Sequence, residues 1–268
     1  MARTWSLGVT LSPQALPGFY ATIDYYHIAI SGEISTVPAN YLFDQCLATG
    51  SAQDCSQVVR TSSGALHGAT VASGGYIIQT NVNAGAALNS GIDSSANYRY
   101  ALPTGWGTLA TTLNGTWLQH DIITPFPGAT RYDCAGLYGA TCTVGVHPSW
   151  RHVMRVTWET LRKLMLSAQW RYIGGTSLDS NSSNPSLQYG EFGAYSSLYA
   201  HIPGYSYLDL TAVAHPLSNI ELRLGVNNVL DKDPPLLPTQ LANEAQNNTY
   251  NSYDTLGRQL YVAFTVTL

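Results

Sequence analysis

The sequence contains little charge. Asp, Glu, Lys and Arg make up 10% of its 268 residues, whereas soluble domains carry roughly 25%. Charged side chains therefore cannot cover much of the surface of this protein, and something other than charge must make that surface compatible with its surroundings. Basic clusters are also missing, since the densest basic spot is Arg162-Lys163 and the formal net charge is −4. Because nucleic-acid binding relies on clustered Lys and Arg, we predict no nucleic-acid partner.

Long apolar runs and enzyme motifs are missing as well. No stretch reaches the roughly 18 apolar residues that a transmembrane helix needs, and Met1 to Gly8 lacks the apolar core of a signal peptide. We find no convincing Gly-x-Ser-x-Gly elbow and no phosphate-binding glycine loop. The seven His residues are dispersed. The sequence therefore predicts no catalytic residues, no cofactor and no metal site.

Alternation of apolar and polar residues is the main positive feature. In the last segment, Leu260, Val262 and Phe264 alternate with Gln259, Tyr261 and Ala263, a period that is typical of a strand with two different faces. The same pattern predicts about nine strands. They lie at Thr4–Leu11, Phe19–Ile30, Ala86–Tyr100, Gly107–His120, around Met154–Trp158, Leu164–Tyr172, Tyr205–Ala214, Ile220–Val226 and Arg258–Leu268.

The connections between these strands alternate in length. Short links, at Ser12–Gly18, Ala101–Trp106, Thr160–Lys163 and His215–Asn219, are rich in Pro and Gly. Long links cover about 31–85, 121–149, 174–203 and 228–257. Outer-membrane barrels have short periplasmic turns on one rim and long extracellular loops on the other. Tyr and Trp, numbering 18 and 6 against 5 Phe, suit the membrane interfaces of such a barrel.

Several segments resemble one family. Gly225-Val-Asn-Asn-Val-Leu-Asp231, followed by a long loop, Tyr253-Asp-Thr-Leu-Gly-Arg258 and a final alternating strand, resembles the ending of TonB-dependent outer-membrane receptors. Ser6-Leu-Gly-Val-Thr-Leu-Ser-Pro13, Ile23-Asp-Tyr-Tyr-His-Ile-Ala-Ile30, Gly91-Ile-Asp93 and Arg171-Tyr-Ile-Gly-Gly175 are weaker matches.

The resemblance implies an all-β fold, an antiparallel transmembrane β-barrel of 22 strands, of which residues 1–268 would supply about the last nine. We expect the family's amino-terminal plug domain, TonB-binding segment and signal peptide to lie outside this sequence. It further implies location in the bacterial outer membrane, contact with outer-membrane lipid, and uptake of a large solute such as an iron–siderophore, cobalamin or a glycan. The TonB complex would act only through the missing amino-terminal part.

Three sets of residues are candidates for structural or functional roles. Two local disulfides are expected within long loops, because these loops would lie in an oxidising compartment. The disulfides would join Cys46 to Cys55 and Cys134 to Cys142. Charges on the polar phase of the strands should face the barrel interior, because a lipid-facing charge is costly. These are Asp24, Asp93, Arg155, Arg171, Asp209, Glu221 and Arg223. Aromatic loop residues could stack on solute rings, or could simply pack the loops. These are Tyr189, Phe192, Tyr195, Tyr199, His201, Tyr250 and Tyr253.

Two other functions remain open at this point. A secreted, disulfide-bonded β protein could use a Tyr-rich surface to bind carbohydrate, and it would stay soluble without detergent. An esterase-like outer-membrane enzyme would need a catalytic set that the sequence does not supply.

Overall fold

The computed structural model describes residues 1–37, 39–126, 128–142, 145–161, 163–184, 187, 199–238, 241 and 248–267. Long strands dominate it. In chain order the elements are β1 (Ala2–Leu11), β2 (Phe19–Thr36), α1 (Ala39–Thr49), α2 (Ala52–Cys55), β3 (Val58–Val59), β4 (Tyr76–Ile77), β5 (Asn81–Ala101), β6 (Thr108–Thr124), β7 (Tyr132–Asp133), β8 (Leu137–Tyr138), β9 (Trp150–Glu159), β10 (Leu164–Ile173), β11 (Thr176–Leu178), β12 (His201–Ile202), β13 (Tyr205–Leu217), β14 (Ile220–Asn227) and β15 (Gln259–Val266).

The nine long strands form one sheet in the order β1-β2-β5-β6-β9-β10-β13-β14-β15, and β7 pairs with β6. From β6 to β15 the neighbouring pairs are antiparallel. The nine predicted strands are therefore confirmed, but several are longer than predicted at the end that meets a long loop. β2, for example, continues to Thr36 and β6 to Thr124.

The sheet has one apolar and one polar face because the strand register aligns the alternating patterns. Ala168 of β10 lies opposite Val156 of β9 and Leu210 of β13. Leu210 in turn lies opposite Val226, which pairs with Leu260 of β15. We call the side that carries these residues the apolar face and the other side the polar face.

The short links form the predicted reversals. Residues 12–18, 102–107, 160–163 and 218–219 connect consecutive long strands. Gly107 has a φ of 94°, and a Cβ there would lie 2.0 Å from the carbonyl oxygen of Glu159. Only glycine fits such a position without strain, which is why this turn needs it.

The chain folds into two compact units. The sheet unit contains Thr4–Ile28, Asn89–Ile122 and Tyr132–Leu268, and the first-loop unit contains Met1–Arg3, Ala29–Leu88 and Ile123–Arg131. In the first-loop unit, a disulfide joins Cys46 of α1 to Cys55 of α2. Among the described residues, no helix is both long enough and apolar enough to cross a membrane.

Candidate functional site

All seven predicted interior charges lie on the polar face. Arg155, Arg171, Asp209, Glu221 and Arg223 share it through the register of β9, β10, β13, β14 and β15. Asp93 is placed there by a 2.7 Å hydrogen bond from the Thr116 hydroxyl, and Asp24 lines the same hollow. Whether this face lines a barrel interior stays a prediction.

Several charged side chains on this face have a partner on the same or a nearby strand. The Arg99 guanidinium lies 2.8 Å from the Glu159 carboxylate, and Arg223 lies 2.9 Å from Glu221. Arg155 donates to the side-chain oxygen of Gln169 through two of its nitrogens. Since these groups are half-exposed, each pair contributes at most about 1 kcal/mol to folding. Their main consequence is a face that remains polar along the sheet.

The most densely bonded group on this face is the guanidinium of Arg171. Its Nε and Nη2 donate to the two carboxylate oxygens of Asp209 at 2.7 and 2.9 Å. Nη1 and Nη2 also donate to the two oxygens of Asp254 at 2.9 and 2.6 Å. Asp254 belongs to the last long loop; it stands in the family-like segment Tyr253–Arg258, but it lies in no alternating segment and was therefore not predicted as an interior charge.

A hollow of about 570 Å³ opens on the polar face beside this network. Besides apolar surface from Val153, Tyr172 and Ile173, it is lined by carboxylate, amide, hydroxyl and guanidinium groups, including those of Asp24, Asp93, Asn114, Thr116, Arg151 and Ser252. Such groups can hydrogen-bond an oxygen-rich solute. Arg151, Asn114 and Thr116 were not predicted as site residues, although alternation with Arg155 places Arg151 on the polar phase and could have identified it.

The core of the sheet unit lies mainly in the long loops, packed against the first residues of β13. Tyr138, Leu178 and Ile202 pack with Tyr250 and Tyr253, together with Tyr205, Tyr207, Leu237 and Leu241. Burial raises the pKa of the Tyr138 hydroxyl to about 12 and also raises the pKa values of Tyr250 and Tyr253. The Tyr138 hydroxyl donates to the backbone oxygen of Tyr199, and that of Tyr250 donates to the backbone oxygen of Leu241.

The aromatic loop candidates are thus divided. Tyr250 and Tyr253 are buried in the loop core, where they pack the loops and are shielded from solute. Tyr199 is half-buried against that core, and His201 is exposed. Tyr189, Phe192 and Tyr195 lie outside the described residues. Contact of these five residues with solute stays a prediction. Packing of the loops, the alternative role, accounts for the two buried tyrosines.

The second long loop is fastened by a disulfide and a buried carboxylate. Cys134 and Cys142 are bonded, as predicted, and closing so short a loop restricts the unfolded chain by roughly 2–3 kcal/mol. The buried carboxylate of Asp179 accepts the backbone N–H groups of Thr141 and Cys142 at 2.8 and 2.9 Å. It also accepts the N–H of Ser180 at 2.6 Å, so it joins this loop to the one that follows β10.

A histidine–carboxylate pair fastens the base of the same loop. His147 Nδ1 lies 2.7 Å from the Asp121 carboxylate, and Asn89 donates to the other oxygen of that carboxylate at 3.2 Å. The hydrogen bond from His147 lowers the pKa of Asp121 below its ordinary value. Asp121 lies four residues beyond Trp117, the last β6 residue paired with β9.

Comparison with known proteins identifies the family of this chain. Residues 1–229 match the family model described as TonB dependent receptor-like, beta-barrel. The chain belongs to this TonB-dependent receptor family. No sequence among the curated proteins matches it.

Solved structures support the same fold. The ferric enterobactin receptor PfeA of Pseudomonas aeruginosa, in its G324V form, is 14% identical with a TM-score of 0.60. The iron transporter FrpB of Neisseria meningitidis is 16% identical with a TM-score of 0.56. The siderophore receptor PirA of Acinetobacter baumannii is 14% identical with a TM-score of 0.53. Each alignment covers 99% of this chain and 31% of the solved chain, so this TonB-dependent receptor chain spans about a third of their length.

Family membership explains the apolar face. Leu260, Val262 and Phe264 of β15 are 63–77% exposed, which would be unfavourable in water. Receptors of this family are located in the bacterial outer membrane, and barrels of that membrane carry an apolar band on their outward surface. The chain therefore contributes strands to an antiparallel transmembrane β-barrel, and the secreted soluble alternative is not supported.

Trp and Tyr side chains mark the two edges of the apolar face. At the short-link end, Trp106 stacks on Trp158 with ring centroids 6.4 Å apart. At the long-loop end, His152 packs edge-on against Trp170 at 4.4 Å and stacks on Tyr172 at 5.3 Å. Aromatic girdles of this kind flank the hydrocarbon region of outer-membrane barrels.

The described residues hold no cluster of three His, Cys, Asp or Glu side chains suited to a metal ion. All four cysteines are bonded in the two disulfides.

Proposed function

We propose that this chain forms part of the wall and the extracellular loops of an outer-membrane receptor that imports a large, scarce solute. Its strands would supply about the last nine of a larger barrel, and the amino-terminal part of the protein would carry the plug and the contact with TonB. The polar face would line the interior, and outer-membrane lipid would cover the apolar face. This proposal assigns binding and passage to the chain and no catalytic step.

The observation that carries this proposal is the two-sided sheet. One face is apolar and exposed, as at Leu260 and Phe264, whereas the other carries the hollow with Asp93 and Arg151. The described parts of the long loops of the sheet unit are fastened by a disulfide and by buried carboxylates, and Ser252 of the last loop lines that hollow. Such an arrangement fits recognition of a solute followed by passage along a hydrated interior.

An iron–siderophore is the solute that we propose first. The structurally similar proteins include a ferric enterobactin receptor, an iron transporter and a siderophore receptor. The hydrogen-bonding groups around the hollow suit an oxygen-rich ligand of this class. Cobalamin and glycans remain the competing solutes.

Uptake assays can test both levels of the proposal. The gene would be deleted in its own bacterium and restored, and uptake of radiolabelled ferric catecholates, ferric hydroxamates, cobalamin and oligosaccharides would be compared. We expect restored uptake of a ferric siderophore that stops when the proton gradient is collapsed. Uptake of only cobalamin or a glycan would overturn the choice of solute, and no difference for any solute would overturn the import function.

A matched pair of variants separates the hollow from the rest of the polar face. Arg151→Gln removes the guanidinium at the hollow, whereas Arg99→Gln removes one that pairs with Glu159 at the opposite strand end. We expect Arg151→Gln to weaken solute binding and Arg99→Gln to leave it near the wild-type value. Equal effects of the two changes would argue against the hollow as a solute-contact surface.

A further inference from the structure

Three family-like segments meet at the base of the last long loop, which connects β14 to β15. Arg171 begins the Arg-Tyr-Ile-Gly-Gly segment, Asn228 belongs to the Asn-Asn-Val-Leu-Asp segment, and Asp254 belongs to the Tyr-Asp-Thr-Leu-Gly-Arg segment. All three are joined by hydrogen bonds around the Arg171 guanidinium and the Asp209 carboxylate. Arg171 also lines the hollow, but contact with a solute does not account for its bonds to two carboxylates from different segments.

The first stem of the loop is fixed to β13. The backbone N–H of Asn228 donates to Asp209 Oδ1 at 2.9 Å, while Arg171 holds the same carboxylate. Asn228 is fully buried, and its side chain makes two hydrogen bonds with the backbone of Lys232, at 3.0 and 2.9 Å. The chain therefore leaves β14 in one direction, set by Asp209.

The second stem is fixed to the same point. Both carboxylate oxygens of Asp254 accept hydrogen bonds from Arg171, and the Asp254 N–H donates to the Tyr207 hydroxyl at 3.3 Å. The guanidinium lies 4.9 Å from the centre of the Tyr207 ring. Closer to β15, Arg258 donates its N–H to Asp231 Oδ1 at 2.8 Å, which joins the two stems directly.

Only arginine can make this set of contacts. A guanidinium presents five N–H groups in a planar fork and can hold two carboxylates in two-point contacts, whereas lysine offers a point charge. Without the guanidinium, Asp209 and Asp254 would face each other as like charges. The loop stem would then be released from the wall, because Asp209 belongs to β13 and Asp254 does not belong to the sheet.

We propose that Arg171 is the positioning residue of the last long loop and holds both of its stems against the polar face. This contact also places Ser252, two residues from Asp254, at the hollow shared with Asn114. The position of the loop thereby fixes one side of the candidate solute surface. Only the effect on uptake depends on the proposed function; the structural role of Arg171 does not.

Spin labels can measure the position of the loop without a ligand. Ser252→Cys and Asn114→Cys would be labelled in the whole outer-membrane protein, where the native cysteines of this chain are bonded in disulfides. We expect one narrow distance distribution in the parent protein. It should broaden and lengthen with Arg171→Gln and with Arg171→Lys. Arg223→Gln, which removes a guanidinium paired with Glu221, is the matched control and should leave the distribution unchanged.

A double-variant comparison tests whether the Asp254 contact carries the effect. Asp254→Asn removes the loop side of the network and leaves the Arg171–Asp209 pair in place, so it remains usable if Arg171→Gln fails to fold. The double variant should broaden the distribution no more than Arg171→Gln alone, because directly interacting residues are not additive. Unchanged distributions in Arg171→Gln and Asp254→Asn, or fully additive effects, would overturn the proposal.

Uptake of ferric enterobactin gives the second reading. Arg171→Gln should raise the concentration for half-maximal uptake on the order of tenfold, the equivalent of one lost charged hydrogen bond. The maximal uptake rate, divided by the amount of folded protein, should stay near the parent value. Heat-modifiable migration on SDS gels would measure that amount. A lowered maximal rate with unchanged half-saturation would contradict the positioning role. Failure of the parent protein to transport any solute would refute the proposed function and leave the spin-label result standing.

Discussion

The assignment of the two faces makes a direct prediction for adjacent residues of β9. Val156 lies on the apolar face, opposite Thr111 of β6 and Ala168 of β10. Thr157 lies on the polar face, opposite Ser167. Both are half-buried. Substitution by arginine at either position therefore differs mainly in the environment of the new guanidinium, which is the apolar face for Val156→Arg and the polar face for Thr157→Arg.

The expected difference follows from the depth of these residues. Ala168 is the fifth residue of the ten in β10, so in the proposed barrel wall Val156 would lie near the middle of the membrane. A lipid-facing arginine there costs about 2–4 kcal/mol, which lowers the ratio of folded to unfolded protein by about 30-fold to nearly 1,000-fold. Thr157→Arg should cost less than about 1 kcal/mol, because interior substitutions tune a hydrated surface.

Urea unfolding of the protein in lipid vesicles, followed by tryptophan fluorescence and by migration on SDS gels, would measure both variants. Val156→Ala serves as a control for the loss of the valine side chain without a new charge. The assignment of the faces would be refuted if Thr157→Arg destabilised the protein as much as Val156→Arg, or more.

Three further predictions concern the sheet register and the loops. Gly225→Ala should destabilise the β14–β15 pair by about 1–3 kcal/mol in urea unfolding, because the new Cβ would lie 2.1 Å from the Tyr261 ring; Tyr261→Ala should restore much of that loss, and no rescue would argue against the clash. Tyr250→Phe should cost about 1 kcal/mol by losing a buried hydrogen bond, whereas Tyr253→Phe should be neutral or stabilising because the buried Tyr253 hydroxyl has no partner among the described residues. The contact with His147 lowers the pKa of Asp121, so the ionised carboxylate stabilises the second loop fully above the ordinary carboxyl pKa of about 4, and this stability is lost as pH falls through the lowered pKa. Cleavage of the loop by pepsin should therefore rise over that pH range. A pH response that persists in Asp121→Asn would contradict this assignment.

The sequence was informative wherever structure depends on neighbouring residues. Alternation along Gln259–Val266 predicted a strand and its two faces, because successive side chains of a strand point to opposite sides. Cys134 and Cys142 are eight residues apart, so their pairing needed no knowledge of distant segments. The ends of β2 and β6 were less predictable, because in the structure these strands continue into regions that the pattern assigned to loops.

The contacts of the loops could not be predicted in the same way. Arg171 and Asp254 are 83 residues apart, and no periodic pattern connects them. Tyr250 and Tyr253 have the composition of a binding surface, yet they are buried because several long loops pack together around them. Burial of a loop side chain depends on which other loops lie above the same strands.

The sequence by itself determined the class of fold, the number of long strands, the division into short and long connections, and the two disulfides. These follow from local constraints: the two-residue period of a strand, the rarity of charge, and the need to pair backbone groups in lipid. The tertiary structure decided which distant residues meet: Arg171 with Asp209 and Asp254, and Asp179 with the second loop. Such pairings depend on the order and register of strands in the sheet, which bring residues far apart in the chain to one point on its polar face.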